Sequence, residues 1–441
     1  MKNMNNTSFK KSLFLIFVSC VTFTVIIALL LLANSVTFWP VKPLQAPHIR
    51  KKYDMDKTQA LQAPHETQAL KVLRNRGYHV YNATYELQRN LNGIQKTKSK
   101  KTEPYKKDRK IKILIWTTFF RKRYYVKGER ILKDSNCSIK HCNVHYDKSE
   151  AGIASSDAVL FHLWGRDFKI GDPIPKIRYS WQNYIFFSME NPTWIHFTTK
   201  VKYLDGFFNL TATYKQNSDV PLAYGKYFPR DMSKPTNLKN YYMENRRKRK
   251  DKDAIILWVV SNCKTVNNRM QFVKKLQKHI AIDIFGRCGK PCKRHTKCGT
   301  HSYMFYMALE NADCKDYITE KLWHNSFGAN LIPVVQGSKV EYSKHLPPNS
   351  FIHVDTFNSV KDLAMYITKV SHNETLYNSY FKWKELYQST YNGGLRNPDN
   401  FCKLCTVLHE RRQNTSFNKE YKISSWFDWK NQCARRVKVL H

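Results

Sequence analysis

The stretch best equipped for chemistry runs Glu310-Asn311-Ala312-Asp313-Cys314-Lys315-Asp316-Tyr317-Ile318-Thr319-Glu320-Lys321-Leu322. An apolar, aromatic run, Tyr303 to Leu309, precedes it and reads as a buried strand. A segment of helical character, Leu322 to Phe327, follows. Acids, amides and a lysine therefore collect where a strand turns into a helix. In an α/β sheet that turn lies at the carboxyl end of the strand, where ligands bind. A helix start there offers orphan N–H groups and partial positive charge to a phosphate, with Lys321 beside it. The plainer reading is a helix capped by Thr319 among solvated charges.

Two further residues sit at similar junctions. Glu190 follows the apolar run Tyr184 to Phe187, and Arg269 opens a helical pattern after Ser261-Asn262-Cys263. Taken alone, they read as a surface glutamate at a strand end and a helix-start arginine. No G-x-G-x-x-G and no Walker sequence is present, which argues against a dehydrogenase or an NTPase.

The elements that must hold these residues alternate along the chain. Ile113 to Trp116, Ala158 to Leu163 and Tyr184 to Phe187 read as buried strands. A basic linker follows, about Lys234 to Asp253, and the pattern restarts. Strands are expected at Ala254 to Val260, Ile280 to Phe285, Tyr303 to Leu309, Leu331 to Val335 and Phe351 to Val354. Helices are expected at Arg269 to His279, Lys321 to Phe327 and Ser359 to Val370. Strands alternating with helices predict an α/β fold with parallel sheets. Two such units with a linker point to two Rossmann-like domains facing a cleft; one large α/β domain is the alternative.

Several ordered motifs resemble one family. Glu310-Asn311 with Tyr317-Ile318-Thr319-Glu320-Lys321 resembles the donor-binding signature of the α1,3-fucosyltransferases. The resemblance runs with gaps from about Ile111 to Cys405. It takes in Ser188-Met189-Glu190-Asn191-Pro192, Phe208-Asn209-Leu210-Thr211-Ala212-Thr213-Tyr214, Ser218-Asp219, Tyr224-Gly225 and Trp258-Val259-Val260-Ser261-Asn262. Ser350-Phe351-Ile352-His353-Val354 and Cys402-Lys403-Leu404-Cys405 complete it. It implies the GT-B fold: an acceptor-binding domain over 111–240 and a GDP-fucose-binding domain over 253–405. A tail, 406–441, packs back on the head.

The resemblance also implies roles. Glu190 is the catalytic base of an inverting transfer of L-fucose from GDP-β-L-fucose. Arg269 and Lys321 face the diphosphate, and Glu320 holds fucose or ribose hydroxyls. Asn262, Asn311, Tyr317 and Tyr224 are further donor contacts. Tyr214, Ser218, Asp219 and Gly225 shape the cleft. Asp-x-Asp metal signatures occur only as Asp54-Met55-Asp56 and Asp251-Lys252-Asp253, in the stem and the linker. No metal or cofactor is therefore expected to be required; manganese stays open as a stimulant.

The acceptor implied is a GlcNAc of a glycoprotein glycan. The cysteine- and glycine-rich segment 286–299 resembles invertebrate and plant members that act on the N-glycan core. Lewis-type transfer to lactosamine or LacdiNAc antennae is the alternative. A type II membrane lectin or receptor without catalysis is the alternative of another class.

The ends carry address information. Residues 1–12 read as a cytoplasmic tail with Lys10 and Lys11 beside the membrane. The uncharged apolar run Leu13 to Leu32 is ~20 residues, enough for a bilayer core, so 13–33 reads as a signal anchor. A cleaved signal peptide is the alternative. Residues 34–110 read as a flexible stem carrying the duplicated Leu44-Gln45-Ala46-Pro47-His48 and Leu61-Gln62-Ala63-Pro64-His65. The expectation is a single-pass type II Golgi membrane protein with a luminal head.

Net charge is +40, which in principle raises nucleic acid as a partner. The basic residues cluster at Lys96 to Lys112 and Arg246 to Lys252, in stem and linker, and a luminal head meets no nucleic acid. Anionic sugar nucleotides or phospholipid headgroups fit better. Of eleven cysteines, Cys20 lies in the anchor and ten remain, an even count suited to disulfides. Zinc at Cys402 and Cys405 with Cys288 and Cys292 is less compatible with an oxidising lumen. The resemblance pairs Cys402 and Cys405 with Cys137 and Cys142. Luminal sequons stand at Asn82, Asn136, Asn209, Asn373 and Asn414.

Overall fold

The computed structural model describes residues 95–96, 110–122, 130–133, 137–139, 141–164, 168, 174–198, 204–233, 239–249, 253–291, 302–338, 340–413 and 419–434. The tail, the anchor, the stem apart from residues 95–96 and 110, Cys292, Cys298 and the sequons at Asn82, Asn136 and Asn414 lie outside them. No helix among the described residues is long and apolar enough to cross a membrane. All described residues belong to one compact unit, Ala69–His441.

Two parallel sheets organise that unit. The first holds β1 (Ile111–Ile115), β2 (Cys142–His145), β3 (Ala158–His162), β4 (Asn183–Ser188), β5 (Leu210–Thr213) and β6 (Val220–Pro221), in the order β2-β1-β3-β4-β5-β6. Every pairing is parallel. Residues 158–162 of β3 and 184–188 of β4 are buried throughout, so apolar runs without alternation mark strands covered on both faces. From this sheet the chain passes into β7 (Gly225–Pro229).

The second sheet holds β8 (Ile256–Val259), β9 (Ile282–Phe285), β10 (Phe305–Met307), β11 (Ile332–Val335) and β12 (Ile352–His353), in the order β9-β8-β10-β11-β12, again all parallel. Side-chain alternation divides its core. Ile256, Trp258, Phe305, Met307 and Val334 face one cluster; Leu257, Tyr306 and Val335 face the other. β13 (Tyr387–Tyr391) pairs antiparallel with β7, forming a ribbon that joins a strand leaving the first sheet to a segment following the second.

Helices depart from expectation in two places. The supposed basic linker, Lys234 to Asp253, contains α2 (Tyr241–Arg249). Its charges hide an inward face: Tyr242 is buried against Tyr377, with ring centroids 5.8 Å apart. Buried Asn245 donates to Asn330 O and Tyr377 Oη, each at 2.8 Å. The C-terminal boundary at 405 also falls inside a helix, α6 (Pro398–Gln413). α6 buries Phe401, Leu404, Cys405 and Leu408 in the first-sheet core, so it belongs to that core and not to a separate tail.

Disulfides tie the ends together. Cys137 pairs with Cys402 and Cys142 with Cys405, as the resemblance implied. Cys263–Cys288 and Cys314–Cys433 were not assignable from sequence. Each such bridge contributes ~2–5 kcal/mol. Asp219 reinforces the closure: Thr211 N and Tyr421 Oη donate to its Oδ2, and Arg411 Nη2 lies 3.1 Å from Oδ1. Asp219 therefore clamps the C-terminal region.

Of the two described sequons, Asn209 spends its carboxamide on backbone. Oδ1 accepts from Tyr184 N at 2.7 Å and Nδ2 donates to Gln182 O at 3.3 Å. A glycan on Nδ2 would displace that bond. Asn373 is exposed and caps a helix through Oδ1, leaving Nδ2 unused by the cap.

Candidate active site

Glu190 emerges immediately past β4, whose apolar residues lock the strand end in place. Asn191 follows and acts in two directions. Its Oδ1 caps α1 (Pro192–Thr198) by accepting from Thr193 N at 3.1 Å. Its Nδ2 donates to Asn311 Oδ1 at 2.7 Å, joining the end of β4 to the segment after β10. Pro at the first helical position suits that start, because its missing N–H needs no partner there. Sequence reading credited Asn191 only with stiffening a turn.

The same two segments meet through Tyr317, whose hydroxyl donates to Glu190 Oε2 at 3.1 Å. Tyr317 is buried, and its ring packs on Tyr214, 4.8 Å between centroids. Burial pushes the Glu190 carboxyl above the ordinary carboxylate range. Lys321 and the Tyr317 hydroxyl pull it down, while Glu320 and Glu310 push it up.

Lys321 sits on α4 (Glu320–Trp323). Its ammonium lies 2.9 Å from Glu310 Oε2 and 3.3 Å from Glu320 Oε1, and donates to Thr319 Oγ1 at 2.7 Å. Burial alone would depress its pKa, but the Glu310 and Glu320 carboxylates outweigh that and hold it above the usual lysine value. Glu310 is 1 % exposed. Burial pushes its pKa up, opposed by Lys321 and by the Thr319 N–H, which both bind the carboxylate. Glu310 is thus the counter-ion of Lys321.

The expected phosphate site at the helix start is not there. α4 is a single four-residue turn, and a 3₁₀ turn, Phe327–Ala329, replaces the expected continuation. The first donors are already taken: Thr319 N binds Glu310 Oε1 at 2.8 Å, and the Thr319 hydroxyl caps Lys321 N. Positive charge here comes from side chains.

Arg269 supplies the second cation from the first turn of α3 (Arg269–Leu276). It is 3 % exposed, with Trp258 under the guanidinium at 5.7 Å. Its Nη1 donates to Leu309 O and its Nη2 to Asn262 O, at 2.5 and 3.2 Å. Both acceptors are neutral carbonyls, and Nε has no hydrogen-bond partner among the described residues. Asn262 thus bears on the site through its backbone. Its loop is pinned by Cys263–Cys288, and Gly286, at φ +97°, fits where a Cβ would meet Val260 O at 2.4 Å.

The remaining expected residues frame the cluster. Tyr224 donates its hydroxyl to Met189 O at 2.6 Å, holding the residue before Glu190. Gly225 lets Trp323 approach, since a Cβ would lie 2.3 Å from its ring. Ser218 bonds Thr213 at 2.7 Å. Asn267 was missed: its buried Nδ2 donates to Glu310 O at 3.0 Å and Asp313 Oδ1 at 2.8 Å. Only its place beside Arg269 could have flagged it.

Glu190, with a raised pKa, thus stands beside Tyr317 and within the field of Lys321, while the buried Arg269, which lacks a carboxylate hydrogen bond, lies in the field of Glu310, Tyr317 and Glu320. That arrangement can accept a proton and stabilise anionic charge.

Comparisons with known proteins identify a family. A model described as fucosyltransferase, N-terminal, matches residues 108–225; one described as glycosyltransferase family 10 (fucosyltransferase) C-term matches residues 249–432. The 4-galactosyl-N-acetylglucosaminide 3-alpha-L-fucosyltransferase FUT5 of Homo sapiens is 36% identical over 293 residues, 65% of this chain and 72% of that protein. Glycoprotein 3-alpha-L-fucosyltransferase A of Drosophila melanogaster is 33% identical over 319 residues, 70% of this chain and 59% of that protein. A solved structure described as an alpha1,3-fucosyltransferase with GDP-fucose aligns with a TM-score of 0.39 at 16% identity, covering 74% of this chain and 97% of that chain. The two family models fall in order on the two parallel sheets, and the chain belongs to glycosyltransferase family 10, the fucosyltransferases.

Proposed function

We propose that the protein transfers L-fucose from GDP-β-L-fucose in α1,3 linkage to a GlcNAc of a glycoprotein glycan, with inversion. The carrying observation is the contact of Glu190 with Tyr317 across the two sheets, beside Lys321 and Arg269. In this reading the sheets form two Rossmann-like domains of a GT-B enzyme, 111–240 binding the acceptor and 253–405 binding the donor. Glu190 takes the proton of the acceptor hydroxyl as its oxygen bonds the fucose anomeric carbon. The bond from that carbon to the diphosphate oxygen breaks, and GDP leaves with the electron pair. Arg269 and Lys321 stabilise the charge growing on the diphosphate. Glu320, Asn311 and Asn262 line the donor, and Tyr317 and Tyr224 hold Glu190 in position. The transfer is assigned no required metal.

The names of the relatives support both acceptor classes, an N-acetylglucosaminide in one case and a glycoprotein in the other. We favour the N-glycan core, supported by the likeness of the cysteine-rich segment after Gly286 to core-acting members. A Golgi type II placement through residues 13–33 completes the proposal. The test is transfer by the full chain from GDP-fucose to a paucimannose N-glycopeptide and to a LacdiNAc oligosaccharide, read by mass. Glu190→Gln is expected to lower turnover by about 10²–10⁴-fold with GDP binding retained. Normal turnover in that variant removes Glu190 as base, and absence of product on both acceptors with wild-type chain defeats the transfer itself.

A further inference from the structure

The β7–β13 ribbon places an aromatic residue beside the site that neither the sequence nor the relatives' names assign. Tyr391 ends β13 opposite Gly225. Because Gly225 has no side chain, Trp323 of α4 packs directly against the ribbon, so Tyr391 is held in register with the turn carrying Glu320 and Lys321. The Tyr391 ring lies 5.3 Å from that of His324, which follows α4. It is 39% exposed. Among the described residues its hydroxyl has no hydrogen-bond partner.

The chain after Tyr391 leads to the base. Asn392 N donates to Tyr224 O at 2.5 Å, and the Tyr224 hydroxyl binds Met189 O. Gly393 and Gly394 follow; a Cβ on Gly393 would lie 3.9 Å from the Tyr391 hydroxyl, and one on Gly394 3.3 Å from Met189 Cγ. Gly394 has φ +62°, a conformation glycine adopts freely. Farther on, Arg396 lies over the Phe119 ring at 5.1 Å. The result is a shelf floored by glycine backbone, walled at one end by Tyr391 and running over the residue next to Glu190. Electrostatics agree with this placement: burial first, then Glu320, raise the Tyr391 pKa, and Lys321 opposes them.

We infer that Tyr391, though within the donor-binding span, is carried by its pairing with 225–229 to the acceptor side and binds the acceptor, its exposed ring stacking on a pyranose of the acceptor glycan and its hydroxyl bonding a sugar hydroxyl. The shelf suits such a ligand because aromatic walls with few polar groups fix orientation at small-molecule sites. Exposure at the rim favours the sugar that enters from solvent over the donor, whose diphosphate belongs with the buried Arg269. The inference rests on the proposed transfer.

Steady-state kinetics of the full chain in detergent, with GDP-fucose and a paucimannose N-glycopeptide, test it. Tyr391→Ala is expected to raise the glycopeptide KM by about 3–10-fold, the range of an aromatic contact, with the GDP-fucose KM unchanged. Tyr391→Phe keeps the ring and should recover most of that loss. A second measurement needs no variant: nitration of Tyr391 in the wild-type chain, read by peptide mass, should be slowed by the glycopeptide and not by GDP. Unchanged glycopeptide KM in Tyr391→Ala, a rise in donor KM alone, or nitration indifferent to glycopeptide overturns the inference while leaving wild-type transfer intact. Failure of the wild-type chain to transfer fucose at all overturns the proposed function together with it.

Discussion

Burial pushes the Glu190 pKa up, while Lys321 and the Tyr317 hydroxyl pull it down, and each of these two can be removed singly. Its hydrogen bond from Tyr317 favours the carboxylate, so losing that hydroxyl raises the Glu190 pKa further. A base works only when deprotonated. Tyr317→Phe should therefore shift the acid limb of kcat/KM to higher pH, and a limb that stays or moves down would show that this bond does not tune the base. Lys321 carries a structural duty besides its proposed donor role. Lys321→Met leaves Glu310 as a buried, uncompensated carboxylate, at a cost of about 3–5 kcal/mol. Adding Glu310→Gln should restore the melting temperature without restoring turnover; a double variant no more stable than the single would refute the pairing. Glu190, Arg269 and Lys321 were legible because their motifs have fixed order and type. Thr319 was legible as the cap it forms, whereas the roles of Asn191 and Asn267 were not, because they lie in hydrogen bonds between segments 43 to 120 residues apart.

Among the elements, legibility followed burial. Strands such as β3 and β4, covered on both faces, read directly as apolar runs. α2 resembles a linker in sequence because six basic residues from Arg246 to Lys252, interrupted only by Asp251, overwhelm the Tyr242 and Asn245 signals. α4 was read too long because Leu322 and Phe327 are apolar at helical spacing, although a 3₁₀ turn completes the segment. The ribbon of β7 and β13 was invisible, since its strands lie 158 residues or more apart in the chain at every pairing. Its dependence on one close approach is testable. Gly225→Ala would set a methyl 2.3 Å from the Trp323 ring and 2.7 Å from Thr390 O. Overpacking of this kind costs about 1–3 kcal/mol. A lowered melting temperature together with weakened acceptor use is expected; unchanged values of both would mean that ribbon and α4 move apart freely.

At the scale of the compact unit 69–441, the two sheets are held together because the C-terminal region belongs to the first-sheet core while Cys314–Cys433 ties it to the segment after β10. Cys405→Ser with Cys142→Ser should lower stability by about 2–5 kcal/mol with the GDP affinity of the folded protein unchanged. Equal loss of GDP affinity in protein still folded would show that the bridge shapes the donor side as well. The Cys137–Cys402 pair also sets a timetable for the nascent chain. Its partners stand 265 residues apart, so at ~5–20 residues per second the first thiol waits roughly 13–53 s for the second to be synthesised. Cys263, Cys288 and Cys314 are all made within that interval, each a possible wrong partner. Oxidation that outruns synthesis would trap mispaired chains, and productive maturation therefore requires either delayed oxidation or disulfide isomerisation after α6 is complete.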